Sequence, residues 1–515
     1  MNIISTQFFV FFLIFSFCYF TIPGKNQWIL LLIISIFFYI QAGIVAFIVL
    51  GYACLLNFFG AVILAKLAQK HKDTDDSITK NRRMLVLFLV LFGNLAALVL
   101  FKYHQEIKLF LAKIFPVLYT ETIQPTKSNI ALPLGISFYT FQAMGYVIDV
   151  YRGAYNPQTN FAKFALFISY FPTVSQGPIE RYDEIFPQMI SPKSFDYNQA
   201  LFGLQRIIWG CLKKLVIAER LALLVNNVYG NWADYAGVDF IVATMLYAFQ
   251  LYTDFSGFMD IIIGISQILG IKLNENFQTP FFSTSIAEFW RRWHITLGSW
   301  FRDYLYYPLL KSRLMQKIST SIKKRINKTF AKNTINFFAL FILWLTIGIW
   351  HEASFKFIIG VGLLNCVYLI SGQIFSPVFK KTIAFLKINT KSFFWHLFQT
   401  LRTFFLICIC LVFFRAPDFS TALQILKRVF SISNYNNFSL NIFLRSNLSN
   451  SGYVLLFASL LLLLCISLLQ YKKIDIRKTL LDKSIFLSWG ICFLAILFIF
   501  ACGVLGSNEF IYFQF

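Results

Sequence analysis

Residues 289–309 read Phe289-Trp-Arg-Arg-Trp-His-Ile-Thr-Leu-Gly-Ser-Trp-Phe-Arg-Asp-Tyr-Leu-Tyr-Tyr-Pro-Leu309. Three Trp, three Arg, one Asp and one His crowd into this stretch of an otherwise apolar chain. Each of Glu288, Arg291, Arg292, Arg302 and Asp303 would cost about 3 kcal/mol at the centre of a bilayer, about 15 kcal/mol together. That total excludes a lipid-facing span. The segment lies at an interface or lines a protected cavity. Read as one helix over 286–304, it places Trp290, His294, Leu297, Phe301 and Tyr304 on a single face, with Glu288 able to pair with Arg291 or Arg292.

The sequence around it is that of a membrane protein. Of 515 residues, 58% are hydrophobic and 13% charged, and there are 63 Phe and 24 Tyr. A soluble domain has no way to cover that much apolar surface. The apolar runs are about 20 residues long, too long for the alternating strands of a barrel. The fold class is therefore all-α, a polytopic helical membrane protein. Spans are expected at 7–22, 28–40, 42–65, 84–102, 131–149, 201–225, 238–255, 257–271, 335–350, 354–372, 393–415, 452–470 and 484–504. About 11 of these are expected to cross the membrane, the rest being re-entrant or interfacial. A single domain is expected, with peripheral helices over 1–130, a core over 131–372 and closing helices over 373–515.

The net charge of +23 sits in clusters. Lys66, Lys70, Lys72, Lys80, Arg82 and Arg83 form one. Lys311, Arg313, Lys317, Lys323, Lys324, Arg325, Lys328 and Lys332 form a second. Lys380, Lys381, Lys387 and Lys391 form a third, and Lys472, Lys473, Arg477, Lys478 and Lys483 a fourth. All are read as loops between apolar runs, which fits cytoplasmic loops facing anionic lipid and argues against nucleic acid. That placement puts both termini on the outer side. The first run lacks a basic leader and a cleavage site, so it is read as a retained span. The polar loop 416–451, with Asn436, Asn437, Asn447 and Asn450, is too small for a catalytic domain. The nine Cys sit in apolar runs without metal-ligand spacing and read as small hydrophobes; no metal site is expected.

Three further groups carry chemistry. Ile347-Gly-Ile-Trp-His-Glu-Ala-Ser354 ends an apolar run with His351 beside Trp350. An ionisable cluster between two spans is a functional-site candidate, although a lone His at a helix end is often a satisfied interface residue. Of five His, only His294 and His351 lie in charged, aromatic clusters. Asp254-Phe-Ser-Gly-Phe-Met-Asp260 lies between two apolar runs; Asp254 and Ser256 can orient a His, bind an ion or cap helices. Leu132-Pro-Leu-Gly-Ile-Ser-Phe-Tyr-Thr-Phe-Gln142 suggests a kinked helix entering the core.

With Gly177-Pro-Ile-Glu-Arg-Tyr182, Lys213–Arg220, Phe413-Phe-Arg-Ala-Pro417 and Phe510–Phe515, these motifs resemble the membrane-bound O-acyltransferase family. The likeness runs from about residue 130 onward. It is nearest to the bacterial branch that acylates alginate, peptidoglycan or teichoic acid. The resemblance implies that family's fold, makes His351 the essential residue and His294 the second family His. Glu352 stands where Gly is common after that His, Phe355 where Trp is common, and a later small-residue–His pair is replaced near Asn365. These departures bear on the shape of the pocket and the acceptor it admits.

The implied reaction moves an acyl group from a cytoplasmic thioester, acetyl-CoA, toward a cell-envelope polysaccharide, with peptidoglycan favoured over alginate and teichoic acid. Trp290, Arg291, Arg292, Arg302, Asp303, Trp350, Asp254 and Ser256 are expected to support the site or bind the donor. Arg291, Arg292, Arg302 and the 311–332 cluster would attract its phosphates. His351 would serve as general base or carry the acyl group itself; a neutral imidazole suits both, since its unperturbed pKa lies near 6.5. No bound cofactor is expected, and a separate periplasmic acyltransferase is expected to complete transfer. The expected location is the bacterial inner membrane. On residues alone, a transporter or flippase explains intramembrane polar groups equally well, but it predicts paired broken helices in inverted repeats, which are absent from the sequence. A scaffold for a secretion complex is the weakest reading.

Overall fold

A computed structural model describes residues 3–74, 77–114, 132–431, 441–446, 448–504 and 510. Asn436, Asn437, Asn447 and the end of the terminal motif, 511–515, lie outside the described residues. The described chain is built of helices joined by short connections, with one isolated β-bridge. Among the described residues, seven helices are long and apolar enough to cross a membrane, and Thr6–Thr21 and Gly24–Ile40 are shorter apolar helices. The protein is a multi-pass, all-α membrane protein. Several helices begin at a capping side chain: Ser5, Asn160, Ser312, Asn327, Ser392, Ser449 and Asp475 each accept from a first-turn N–H with a side-chain oxygen.

The helices divide into two compact units, Met1–Leu204 with Ile262–Asn274, and Gln205–Ile261 with Glu275–Phe515. In the first, the Ile44–Thr74 and Ser77–Lys102 helices lock together through a reciprocal amide pair. Asn57 and Asn94 donate to each other's Oδ1 at 2.9 and 3.0 Å, and both are buried. Such a pair satisfies two polar groups that a lipid environment would leave costly. Gly60 lets Val90 approach: a Cβ there would stand 2.5 Å from Val90 Cγ2.

The Gly177–Tyr182 motif also belongs to this unit. Glu180 is buried and accepts from the Asn274 backbone N–H and Nδ2, each at 2.8 Å. Burial outweighs these bonds and pushes its carboxyl up to about 7 from an ordinary 4.5. A raised folded-state pKa means stability that is fully present below 4.5 and lost as pH rises through 7, on the order of 3 kcal/mol. Thermal unfolding in detergent between pH 4.5 and 8 should therefore show a midpoint that falls as pH rises. Glu180→Gln should flatten that fall; an unchanged slope in the variant would rule Glu180 out as its source.

Two expectations about the chain path are corrected. The spans expected at 238–255 and 257–271 are one helix, Gly237–Ile268, so Asp254, Ser256 and Asp260 lie in mid-helix rather than at a break. Gly257 does not interrupt the helix. It permits close packing, since a Cβ there would meet Gly210 O at 2.9 Å and Lys213 Cβ at 3.3 Å. The basic clusters are also largely helical: Arg313–Arg325 and Ile476–Lys483 are helices, and Lys380 and Lys381 lie in Ser376–Phe385. Lys and Arg are good helix formers, and charge alone does not make a loop.

Candidate active site

The site belongs to the second unit and begins with a broken helix. The segment expected as one helix over 286–304 is two, Ile286–Arg292 and Ile295–Phe301, followed by a π-helical turn, Arg302–Tyr306. Between them Trp293 is extended, and His294 takes φ 48° and ψ 53°. The single face of Trp290, His294, Leu297, Phe301 and Tyr304 therefore does not exist as drawn. The cause is a competing partner. Phe277 and Trp293 form an antiparallel bridge. The Gln278 N–H bonds to Arg292 O at 3.0 Å and the Ile295 N–H to Asn276 O at 3.1 Å. Asn276 Oδ1 then accepts from the Thr296 N–H at 3.0 Å and its hydroxyl at 2.7 Å, starting the next helix. His is among the non-glycine residues that tolerate a left-handed backbone best, and that conformation stores strain at 294.

The first short helix is held at its start. Ser285 caps the Glu288 N–H at 3.2 Å, and Glu288 accepts from the Thr284 N–H at 2.9 Å and from Arg292 at 2.7 Å. These bonds and the Arg292 charge draw the Glu288 carboxyl below its ordinary range despite partial burial. Of the two partners expected for Glu288, Arg292 is engaged in an ion pair.

His351 comes from the far end of a separate helix, Lys328–His351, at its C-terminal residue. Gly348, one turn earlier, allows the returning helix to come close: a Cβ there would meet Phe357 O and Ile358 Cα at 2.9 Å. The imidazole lies nearly parallel to Phe357 with centroids 5.9 Å apart, meets Phe414 edge-on at 5.6 Å, and lies 4.7 Å from the Trp350 ring. His294 is reached through the same indole, its centroid 6.4 Å from Trp350, with Phe255 edge-on at 5.0 Å. Burial pushes the His294 imidazole down to about 3, so it is neutral at physiological pH.

Both His line one cavity of about 480 Å³. Its walls are mainly apolar, with Arg291, Arg302 and Gln373 among the polar groups. Trp290 forms another wall, its Nε1 donating to Asn365 Oδ1 at 3.0 Å and its ring 4.9 Å from Trp344. Asn365 is fully buried and anchored by its Nδ2 donating to Val361 O at 2.7 Å.

The structure thus brings His351, His294, Trp290, Arg291 and Arg302 to one cavity, with the Trp350 ring in contact with both His. Asp303 pairs with Arg302 at 2.9 Å. Arg292 turns the other way and lines a second cavity together with Ser256. Asp254 is engaged by Lys214 at 2.6 Å, which serves helix packing rather than the His cavity. Asn276, which starts the helix after His294, was missed: nothing in Asn274-Glu-Asn-Phe-Gln278 ties it to a segment 20 residues away. Asn365 was noticed only as a departure from the family pattern.

The model of the membrane-bound O-acyltransferase family matches residues 156–323. The chain is 30% identical over 423 residues to the peptidoglycan O-acetyltransferase of Helicobacter pylori, covering 77% of this chain and 72% of that protein. It is 33% identical over 322 residues to a Pseudomonas aeruginosa protein named probable alginate O-acetylase AlgI, covering 62% and 55%. It is 31% identical over 284 residues to the teichoic acid D-alanyltransferase of Bacillus subtilis, covering 53% and 67%. The chain spans little more than half the length of the alginate relatives it matches.

Proposed function

The chain belongs to the membrane-bound O-acyltransferase family, and from that premise we propose that it moves an acyl group from a thioester across the membrane for O-acylation of a cell-envelope polysaccharide, by way of an acceptor hydroxyl on a separate periplasmic partner. The observation that carries this reading is the convergence of His351 and His294, 57 residues apart in sequence, on one largely apolar cavity. The donor is acetyl-CoA. Its acyl end lies in the cavity that both imidazoles line, and Arg291 and Arg302 attract its phosphates.

His351 acts as general base. It takes the proton from the acceptor hydroxyl as that oxygen bonds to the thioester carbonyl carbon. The carbon–sulfur bond then breaks, and the proton passes to the departing thiolate. No net proton is consumed. The Phe357 and Phe414 rings keep water from the imidazole, which favours transfer over hydrolysis. Trp350 is in ring contact with both imidazoles and couples their positions. Peptidoglycan is the favoured polymer, because the relative of that name aligns over the largest share of this chain among the three compared. The protein acts in the bacterial inner membrane and hands its acyl group to a separate periplasmic acyltransferase.

The test uses the purified protein and acetyl-CoA labelled in the acetyl group. Release of free coenzyme A with label appearing on an acceptor sugar or on added partner is the expected result. Uptake of intact label into proteoliposomes without thioester cleavage would replace the enzyme reading with transport.

A further inference from the structure

A second cavity, of about 760 Å³, lies in the same unit on the far side of the Phe277–Trp293 bridge. The acyl-transfer reading makes no use of it. Its lining is divided in kind. Arg206, Lys213, Arg292, Lys473 and Arg477 bring five cations to it. Asp260, Glu275 and Asp475 bring three carboxylates. Two of those carboxylates are already committed: Arg206 holds Asp260 at 2.9 Å and Glu275 at 2.5 Å, and Lys213 also pairs with Asp260. With Arg292 held by Glu288, the excess charge is positive and rests on the Lys473 and Arg477 side, where Lys473 is exposed and Arg477 half-buried.

The opposite wall is hydrocarbon. Leu463 and Ile466 come from the Asn450–Tyr471 helix, and Ile491, Cys492 and Ala495 from Ile485–Cys502. Both helices are long and apolar enough to cross a membrane. Leu463 and Cys492 are buried toward the cavity, whereas their neighbours Leu462, Leu464, Phe493 and Leu494 are exposed, as lipid-facing residues are. The charged groups Lys473, Asp475 and Arg477 lie in the connection between the two helices. Leu463 is eight residues back from the helix end at Tyr471, about 12 Å at the rise of an α-helix. Charge is therefore gathered where the helices leave the hydrocarbon, and an apolar slot runs inward between them. Arg292 closes the charged end, stacked over Tyr471 at 5.5 Å.

We propose that this cavity binds an anionic phospholipid, its phosphate on the Lys473 and Arg477 side and its chain along Leu463 and Ala495. A phosphate favours guanidinium and ammonium donors, and an amphiphile of this polarity matches both walls at once. A soluble nucleotide matches only the charged one. Because Arg292 lines this cavity while Arg291 lines the other, the lipid would sit one residue away from the wall of the His cavity.

The experiment is native mass spectrometry of the full chain, delipidated in detergent and titrated with phosphatidylglycerol or phosphatidylcholine. Selective retention of phosphatidylglycerol is expected. Affinity should fall about tenfold, or 1.4 kcal/mol, in Lys473→Gln/Arg477→Gln and again in Ala495→Trp, which fills the apolar slot without changing charge. Lys323→Gln/Lys324→Gln, on the exposed Arg313–Arg325 helix, removes the same charge and should bind as wild type. Equal retention of phosphatidylcholine would overturn the proposal. So would an equal loss in the Lys323/Lys324 variant, or displacement of phosphatidylglycerol by coenzyme A, which would assign the cavity to the donor. Where the Lys473/Arg477 variant does not fold, Ala495→Trp decides alone.

Discussion

Replacing His351 with Ala is expected to lower acyl transfer by about 10²–10⁴-fold, the range for loss of a general base. The membrane-inserted fold should survive. The imidazole packs against Phe357, Phe414 and Trp350 at the last residue of its helix, so truncation leaves the helix interior untouched. The readout is acetyl content of the cell-wall polysaccharide alongside the amount of inserted protein. His294→Asn is the informative companion: Asn also tolerates the left-handed backbone at 294 but removes the imidazole. If His294 only shapes the cavity, His294→Asn should retain far more activity than His351→Ala. Wild-type acetylation in cells making only the His351→Ala protein would sink the assignment of the base.

Lys214→Met is expected to be the most damaging single change to stability. The Lys214 Nζ lies 2.6 Å from both Asp254 and Glu219, and all three side chains are nearly inaccessible. It also lies 4.5 Å from the Phe510 ring. Removing the cation leaves two carboxylates in a low-dielectric interior, a loss of about 3–5 kcal/mol. The triple variant Lys214→Met/Asp254→Leu/Glu219→Met should recover most of that loss, because replacing a whole buried ion cluster with apolar side chains is often neutral. Unfolding midpoints in detergent would report both. A Lys214→Met protein as stable as wild type would show that the cluster contributes nothing to the fold.

Much of this was legible in the residues. Long apolar runs and the cost of burying charge imply a helical membrane protein. The scarcity of His in charged, aromatic surroundings singles out His294 and His351 from sequence. The errors have a common origin. Asp254, Gly257 and Asp260 look like a break when charge and glycine are read along one strand of sequence. They are compatible with an unbroken helix because Lys213, Lys214 and Arg206 neutralise the carboxylates and Gly210 fills the glycine's groove. The 286–304 stretch looks like one helix because its apolar period is helical, and nothing within it reveals that Asn276 and Phe277 will take over its backbone bonds.

The sequence by itself therefore determined the class of protein, the helical content and the residue types of the site. Those follow from local propensity and from the free energy of placing each side chain in lipid or water, which depend on near neighbours. Only the tertiary structure decided which residues meet. It put His294 and His351 on one cavity, sent Arg291 and Arg292 to different ones, and gave Asp254 to Lys214. Those outcomes depend on contacts between segments tens of residues apart, whose energies no local pattern carries.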